Sequence, residues 1–251
     1  MASGILKILH RAAAGWLLAC AAVAGDLQIF TEENKPLNFL DGGKVTGFAT
    51  EVVQAIQARL GTRSEIQLVP WSRGYQAALD EPDTMLYSTM RTEEREKLFK
   101  WVGPLTLVLT SFYGAPDGGV KIAGLDDARK VFSIGVPRSY YTEQFLRERG
   151  FTNLDVADTP AVMVRKFLAG RNPVFVSSDF TLPSVLAAES VPDGKVVPLY
   201  TFMKDSHYLA FSRKTPDEVV RRWQAALDDL KKDGTFARLF AKWLPGKKMP
   251  K

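Results

Sequence analysis

An α/β fold is what this sequence predicts, and three observations predict it. Short apolar β-type runs alternate with amphipathic helical stretches along almost the whole chain. The alternation pauses at one long apolar run, Leu105–Ala115 (LTLVLTSFYGA), and starts afresh after the turn residues Pro116-Asp117-Gly118-Gly119. A chain of 251 residues, 46% of them hydrophobic, is also long enough for two compact lobes.

Leu27–Thr31 reads as the first strand, followed by a loop over Glu32–Pro36. Asn38–Leu40 and Lys44–Thr46 flank Asp41-Gly42-Gly43, a tight-turn signal. Glu51–Leu60 is helical, with Val52, Val53, Ile56 and Leu60 on one face and Gly61 as its stop. Ile66–Val69 is a short strand, and Trp71–Leu79 a helix opening at Ser72. The stretch MLYSTMRTEEREKLFKWVGP then runs from a strand ending in Ser88 and Thr89 to a helix start, where Thr92 is placed to cap and Glu93 and Glu94 to complement the dipole.

In the second half, Leu125–Ala128 is a short helix, Val131–Val136 a strand, and Glu143–Arg149 a helix stopped by Gly150. A strand around Leu154–Val156 precedes Thr159-Pro160, a cap followed by proline at the first helical position. That helix ends at Gly170. Val174–Val176 is a buried strand, Pro183–Ala188 a helix, and Val196–Leu199 and Tyr208–Phe211 are two further strands. Asp217–Lys232 is amphipathic through Val219, Val220, Trp223, Leu227 and Leu230. Thr235 caps the last helix, whose apolar face is Phe236, Leu239, Phe240 and Trp243. Mostly parallel sheets are expected from this alternation.

Residues 1–25 read as an export signal: Lys7, His10 and Arg11, then Ala12–Ala19, then the small-residue pattern Ala22-Val23-Ala24. The apolar stretch is too short to span a bilayer. The single cysteine, Cys20, lies within this leader, and LLAC resembles a lipoprotein cleavage box. Two readings therefore stand, cleavage after Ala24 and lipidation at Cys20. Under the first the mature chain holds no cysteine, and its core and hydrogen bonds alone stabilise it. Net charge is +5 for the full chain. Lys7 and Arg11 belong to the leader, so the mature chain carries about +3. Its basic residues are dispersed among acids, without an arginine-rich tract bearing aromatics, which argues against nucleic acid.

Catalytic and metal chemistry find little support. His207 is the only histidine after the leader, so no histidine cluster exists, and no phosphate-loop or dinucleotide fingerprint appears. No metal and no cofactor is expected. What recurs in both halves is a strand running into a hydroxyl-bearing turn: Tyr87-Ser88-Thr89 in the first, Val136-Pro137-Arg138-Ser139 in the second. Open α/β sheets bind ligands at such carboxyl ends of strands. With Arg95 and Arg91 beside the first turn, and Trp71 and Arg73 nearby, the chemistry suits a small anion such as a carboxylate. Tyr140 and Tyr141 are neighbours on a predicted helix start, and only one of them is expected to face the cleft.

These segments resemble the bacterial periplasmic solute-binding proteins of the polar amino-acid type, family 3. The resemblance rests on Lys44-Val45-Thr46-Gly47-Phe48, on Arg91–Lys97 with Phe99 and Gly103-Pro104, and on Leu227–Trp243 with its LKKDGTF. It covers essentially the whole mature chain. It implies the two-lobed type II periplasmic binding protein fold, with two crossover strands as a hinge. The lobes are then 26–112 with 204–251, and 113–203. It further implies capture of a small amino-acid-like solute by hinge closure, delivery to an inner-membrane ABC permease, no catalysis, a monomer, and a periplasmic location.

Carried over by position, Arg95 resembles the arginine that holds the ligand carboxylate, Ser88 a neighbouring donor, and Trp71 the aromatic wall, while Arg138, Ser139, Tyr140 and Tyr141 occupy the second-lobe turn. Asn34 stands where the family offers an aromatic, and Met90 where a hydroxyl is expected. Ser178 stands where an acid commonly receives the ligand ammonium, leaving Asp179, one residue on, as the candidate. Two alternatives accompany this reading. One is an enzyme resembling the cyclohexadienyl dehydratases, with a general acid among Glu32, Glu33, Asp179 and Asp205. The other is a ligand-sensing module.

Overall fold

Residues 27–250 are described by the computed structural model. The leader, with both readings of Cys20, lies outside them. Strand β1 (Gln28–Thr31) leads through the loop 32–38 into the hairpin β2 (Phe39–Asp41) and β3 (Lys44–Thr46), closed by Gly42 and Gly43 at φ of +53° and +79°. Helix α1 (Phe48–Leu60), strand β4 (Ile66–Leu68), helix α2 (Trp71–Asp80) and strand β5 (Thr84–Met90) follow. Gly47 enters α1 at φ +112°, where a Cβ would lie 2.6 Å from the Leu37 carbonyl oxygen. Only glycine fits there, which fixes the 32–38 loop against the start of α1.

The long strand β6 (Phe99–Gly114) then leaves this first group. Helix α3 (Leu125–Arg129), strand β7 (Ile134–Pro137), helix α4 (Tyr141–Glu148), strand β8 (Leu154–Ala157), helix α5 (Pro160–Leu168), strand β9 (Val174–Ser178) and helix α6 (Thr181–Ala188) make the second. Strand β10 (Val197–Ser212) returns, and helices α7 (Asp217–Lys232) and α8 (Thr235–Trp243) close the first group. Strand order is β4-β1-β5-β10-β6-β9-β7-β8, so β6 and β10 form the centre and connect the two lobes.

Sequence alternation explains why each lobe is covered on both faces. Ile29, Met85 and Tyr87 pack under α1, α7 and α8, whereas their neighbours Phe30 and Leu86 pack under α2. In the second lobe Val174 and Val176 face one cluster and Phe175 the other. Strands buried on both sides read as continuous apolar runs.

Three expectations change. The sheet is mixed: β1–β4, β1–β5, β7–β8 and β7–β9 are parallel, but β5–β10, β6–β10 and β6–β9 are antiparallel. The two strands expected at Val196–Leu199 and Tyr208–Phe211 are the ends of one strand, β10. Its polar middle, including Lys204 and Asp205, is held by ladder bonds to β6, with register shifts along the pairing. Backbone pairing does not need apolar side chains, so composition hid this stretch. Third, the helix expected after Thr92 is a single 3₁₀ turn, Glu93–Arg95, and the Thr92 hydroxyl caps nothing. A helix start offering free N–H groups is therefore absent at this place, and the anion chemistry falls to side chains.

Candidate functional site

The cleft between the lobes is built around Arg95. The 3₁₀ turn places its side chain inward, fully buried, between the faces of Trp71 and Tyr75 at 5.2 and 4.8 Å. Nε donates to Gln144 Oε1 at 2.8 Å and Nη2 to the Ser139 carbonyl at 3.3 Å, both in the second lobe. Nη1 is buried without a partner. Burial pushes the guanidinium pKa down, while Tyr75, Tyr141, Glu32 and Glu94 oppose that shift. A buried cation with an unused donor is poised for an anion.

Ser88 reaches the cleft by a bulge. Tyr208 pairs with Thr89 and Leu209 with Tyr87, so Ser88 is skipped by the β5–β10 ladder, at φ +58°. The extra residue re-aims its side chain. Its hydroxyl donates to Asn38 Oδ1, and Asn38 Nδ2 donates to the Glu32 carbonyl at 2.6 Å, which ties the strand end to the 32–38 loop.

Arg95, Ser88, Trp71, Tyr140 and Asn34 thus line one inner cavity of about 30 Å³. The other residues singled out in the sequence lie elsewhere. Arg73 is exposed on α2. Arg138 points out to pair with Asp158 at 2.9 Å. Ser139 contributes its carbonyl, to Arg95 and to Trp71 Nε1 at 3.0 Å, rather than its hydroxyl. Asp179 turns away from the cavity, because its carboxylate accepts from the Leu109 N–H at 2.9 Å and pairs with Lys247 at 2.5 Å. Ser178, the last residue of β9, lines the cavity together with Ser177, whereas Asp179 falls in the turn that follows.

Tyr140 and Tyr141 both line the cavity, contrary to the expectation that one would. Tyr140 is the N-cap, extended at φ −75° and ψ 156°, so the two do not share helical geometry. The Tyr141 hydroxyl is shared with Thr110 Oγ1 at 2.8 Å.

Further residues come to the site through the fold. Thr142 is buried with its hydroxyl unpartnered. Thr181 donates across the cleft to Asn34 Oδ1 at 3.3 Å. His207, on β10, bonds Thr106 Oγ1 through Nδ1 at 2.8 Å, and burial pushes its pKa down to about 3, so it is neutral. Glu32 accepts from the Tyr140 hydroxyl, and burial raises its carboxyl to about 7 despite that bond and the Arg95 charge. Of the four acids weighed for an enzyme, it alone lines the inner cavity. Glu33 is exposed and accepts from the Leu40 N–H, and Asp205 is half-buried near Glu94. Among the described residues no group of acids, histidines and cysteines is placed to hold a metal.

Residues 27–246 match the bacterial extracellular solute-binding proteins, family 3. The chain belongs to this family. The L-cystine-binding protein TcyJ of Escherichia coli (strain K12) is similar to it, 25% identical over 210 residues, covering 81% of this chain and 76% of TcyJ. Among solved structures, a histidine kinase sensor domain with similarity to periplasmic binding proteins superposes at a TM-score of 0.78 with 24% identity, covering 89% and 98% of the two chains. The ancestral amino acid-binding protein AncCDT-1, a precursor of cyclohexadienyl dehydratase, gives 0.70 with 22% identity over 86% and 94%. This family-3 chain therefore shares the two-lobed type II fold, and no helix among its described residues is long and apolar enough to cross a membrane.

Proposed function

We propose that this family-3 protein captures a small carboxylate-bearing solute of the amino-acid class between its lobes and delivers it to an ABC permease, without catalysis. The observation that carries the reading is the unpartnered Nη1 of the buried Arg95, beside a cavity to which both lobes contribute. Buried donors are rarely left unpaired, and a ligand carboxylate would supply the missing acceptor. The free hydroxyl of Thr142 is a second donor lining the same cavity. Closure is a rotation of lobe 113–203 against 26–112 with 204–251 about β6 and β10, desolvating the ion pair as it forms. The amino-acid binding named for TcyJ and AncCDT-1 supports the solute class.

A thermal-shift panel of amino acids and small organic acids, followed by calorimetry, tests this. Arg95→Ala is expected to weaken the bound acid by about ten- to a hundredfold, as loss of a charge-assisted pair requires. Unchanged affinity in that variant would remove the carboxylate role from Arg95.

Glu32 favours a second reading, since a cleft carboxyl titrating near 7 suits a general acid. Turnover of prephenate or arogenate, lost in Glu32→Gln, would establish that reading in place of transport.

A further inference from the structure

We infer that Tyr140 is a built-in competitor for the cleft: it holds the lobes together in the place a solute would take, and a solute binds by displacing its hydroxyl from Glu32. This rests on the reading that the cleft between the lobes is the solute site.

Space is the first argument. The cavity beside Arg95 measures about 30 Å³. It is an enclosed space of a few waters, far smaller than the groove outside it. An outer groove of about 680 Å³ lies beyond it. Glu32, Asn34, Trp71, Tyr140, Pro160 and Thr181 line both, so they form the partition between them. Within that partition Tyr140 spans from the second lobe to the first, with its ring centroid 5.8 Å from that of Trp71 and its hydroxyl on Glu32.

Polar chemistry is the second. The residue before Tyr140 places its carbonyl within reach of both Arg95 Nη2 and Trp71 Nε1. That oxygen satisfies Nη2 as one oxygen of a ligand would, while Nη1 stays open. Ser139 holds it there at φ +60°, a left-handed conformation that is uncommon for a residue with a side chain. The turn 139–140 thus supplies an acceptor to Arg95 and a donor to Glu32, one for each of the two polar groups it meets on the first-lobe wall. A closed form stabilised in this way competes with binding, since apparent affinity falls with the fraction of protein that is self-occupied.

Trimming a residue that merely walls a ligand weakens binding, but trimming a competitor strengthens it. The test therefore starts without ligand. Protein stripped of solute by unfolding and refolding is examined by small-angle scattering at pH 6, as wild type and as Tyr140→Phe, with Tyr140→Ala as a second variant and circular dichroism as the check on folding. The wild type is expected to scatter as the closed form, and both variants to shift toward a larger radius of gyration. A panel of the L-amino acids and L-cystine is then titrated into each. Any compound that binds wild type should bind Tyr140→Phe about two- to tenfold more tightly, the range expected for one net hydrogen bond. An open ligand-free wild type, an unchanged curve in Tyr140→Phe, or weaker binding by that variant would each overturn the competitor role. Silence across the panel would count against the amino-acid reading, while the scattering result would still decide the role of Tyr140.

Discussion

The indole nitrogen of Trp71 in the first lobe donates to the Ser139 carbonyl of the second at 3.0 Å. The Trp71 ring also covers Arg95 at 5.2 Å, so one residue shields the cation and spans the cleft. Trp71→Phe keeps the aromatic wall and removes the N–H. It is expected to cost closure about 0.5–1.5 kcal/mol, the net worth of a hydrogen bond. The measurement is the ligand-free scattering curve, which should move toward the open form while the melting temperature changes little. An identical curve would mean that the bond contributes nothing to closure.

Closure is expected to depend on pH through Glu32. Its carboxyl is raised from 4.5 to about 7 by burial in the closed cleft. Once the cleft opens and hydrates it, an ordinary carboxyl value is expected. Between those values the closed form holds a proton that the open form does not, so closing takes up a proton. The closed form is therefore favoured in acid and loses that advantage as pH rises through about 7. Scattering between pH 5 and 8 should show the ligand-free protein opening with rising pH, and Glu32→Gln, neutral throughout, should flatten the trend.

His207 acts on stability with the opposite sign. Its pKa falls from 6.5 to about 3 because burial excludes the charged ring. Between those values the unfolded chain binds a proton that the native chain refuses, so stability drops as pH falls from about 6.5 toward 3. Urea unfolding at pH 7 and pH 5 should show a smaller loss in His207→Gln than in wild type. Equal losses would mean that the ring is protonated inside the fold.

Asp179 serves as a control for the site. Asp179→Asn keeps an acceptor for the Leu109 N–H but gives up the charge pair with Lys247, which is partly exposed. A pair of that kind is worth up to about 1 kcal/mol. Stability should fall by no more than that, and affinity for any solute found should stay within about twofold. A large loss of affinity would return Asp179 to the ligand.

Helices and buried strands were legible because burial leaves a mark on local sequence. The apolar face of α7, Trp223 and Leu227 with Leu230, repeats with helical period, and the apolar runs at β5 and β9 reflect cover on both their faces. The residues of the Arg95 stretch were legible too, through charge beside hydroxyls. Sixteen-residue β10 was not, since its polar middle is stabilised by backbone bonds to β6, which no local pattern records.

Sequence by itself determined the α/β class, the family, and the presence of an arginine after a hydroxyl-bearing strand end. Only tertiary structure decided which groups meet. The bulge at Ser88 depends on the β5–β10 ladder inside the first lobe, whereas the outward turn of Asp179 and the pairing of Tyr140 with Glu32, 108 residues apart, depend on how two lobes are set against each other across β6 and β10. Periodicity reports the surroundings of one element at a time. A site assembled from two lobes depends on long-range packing, and its pKa values depend on the water which that packing removes.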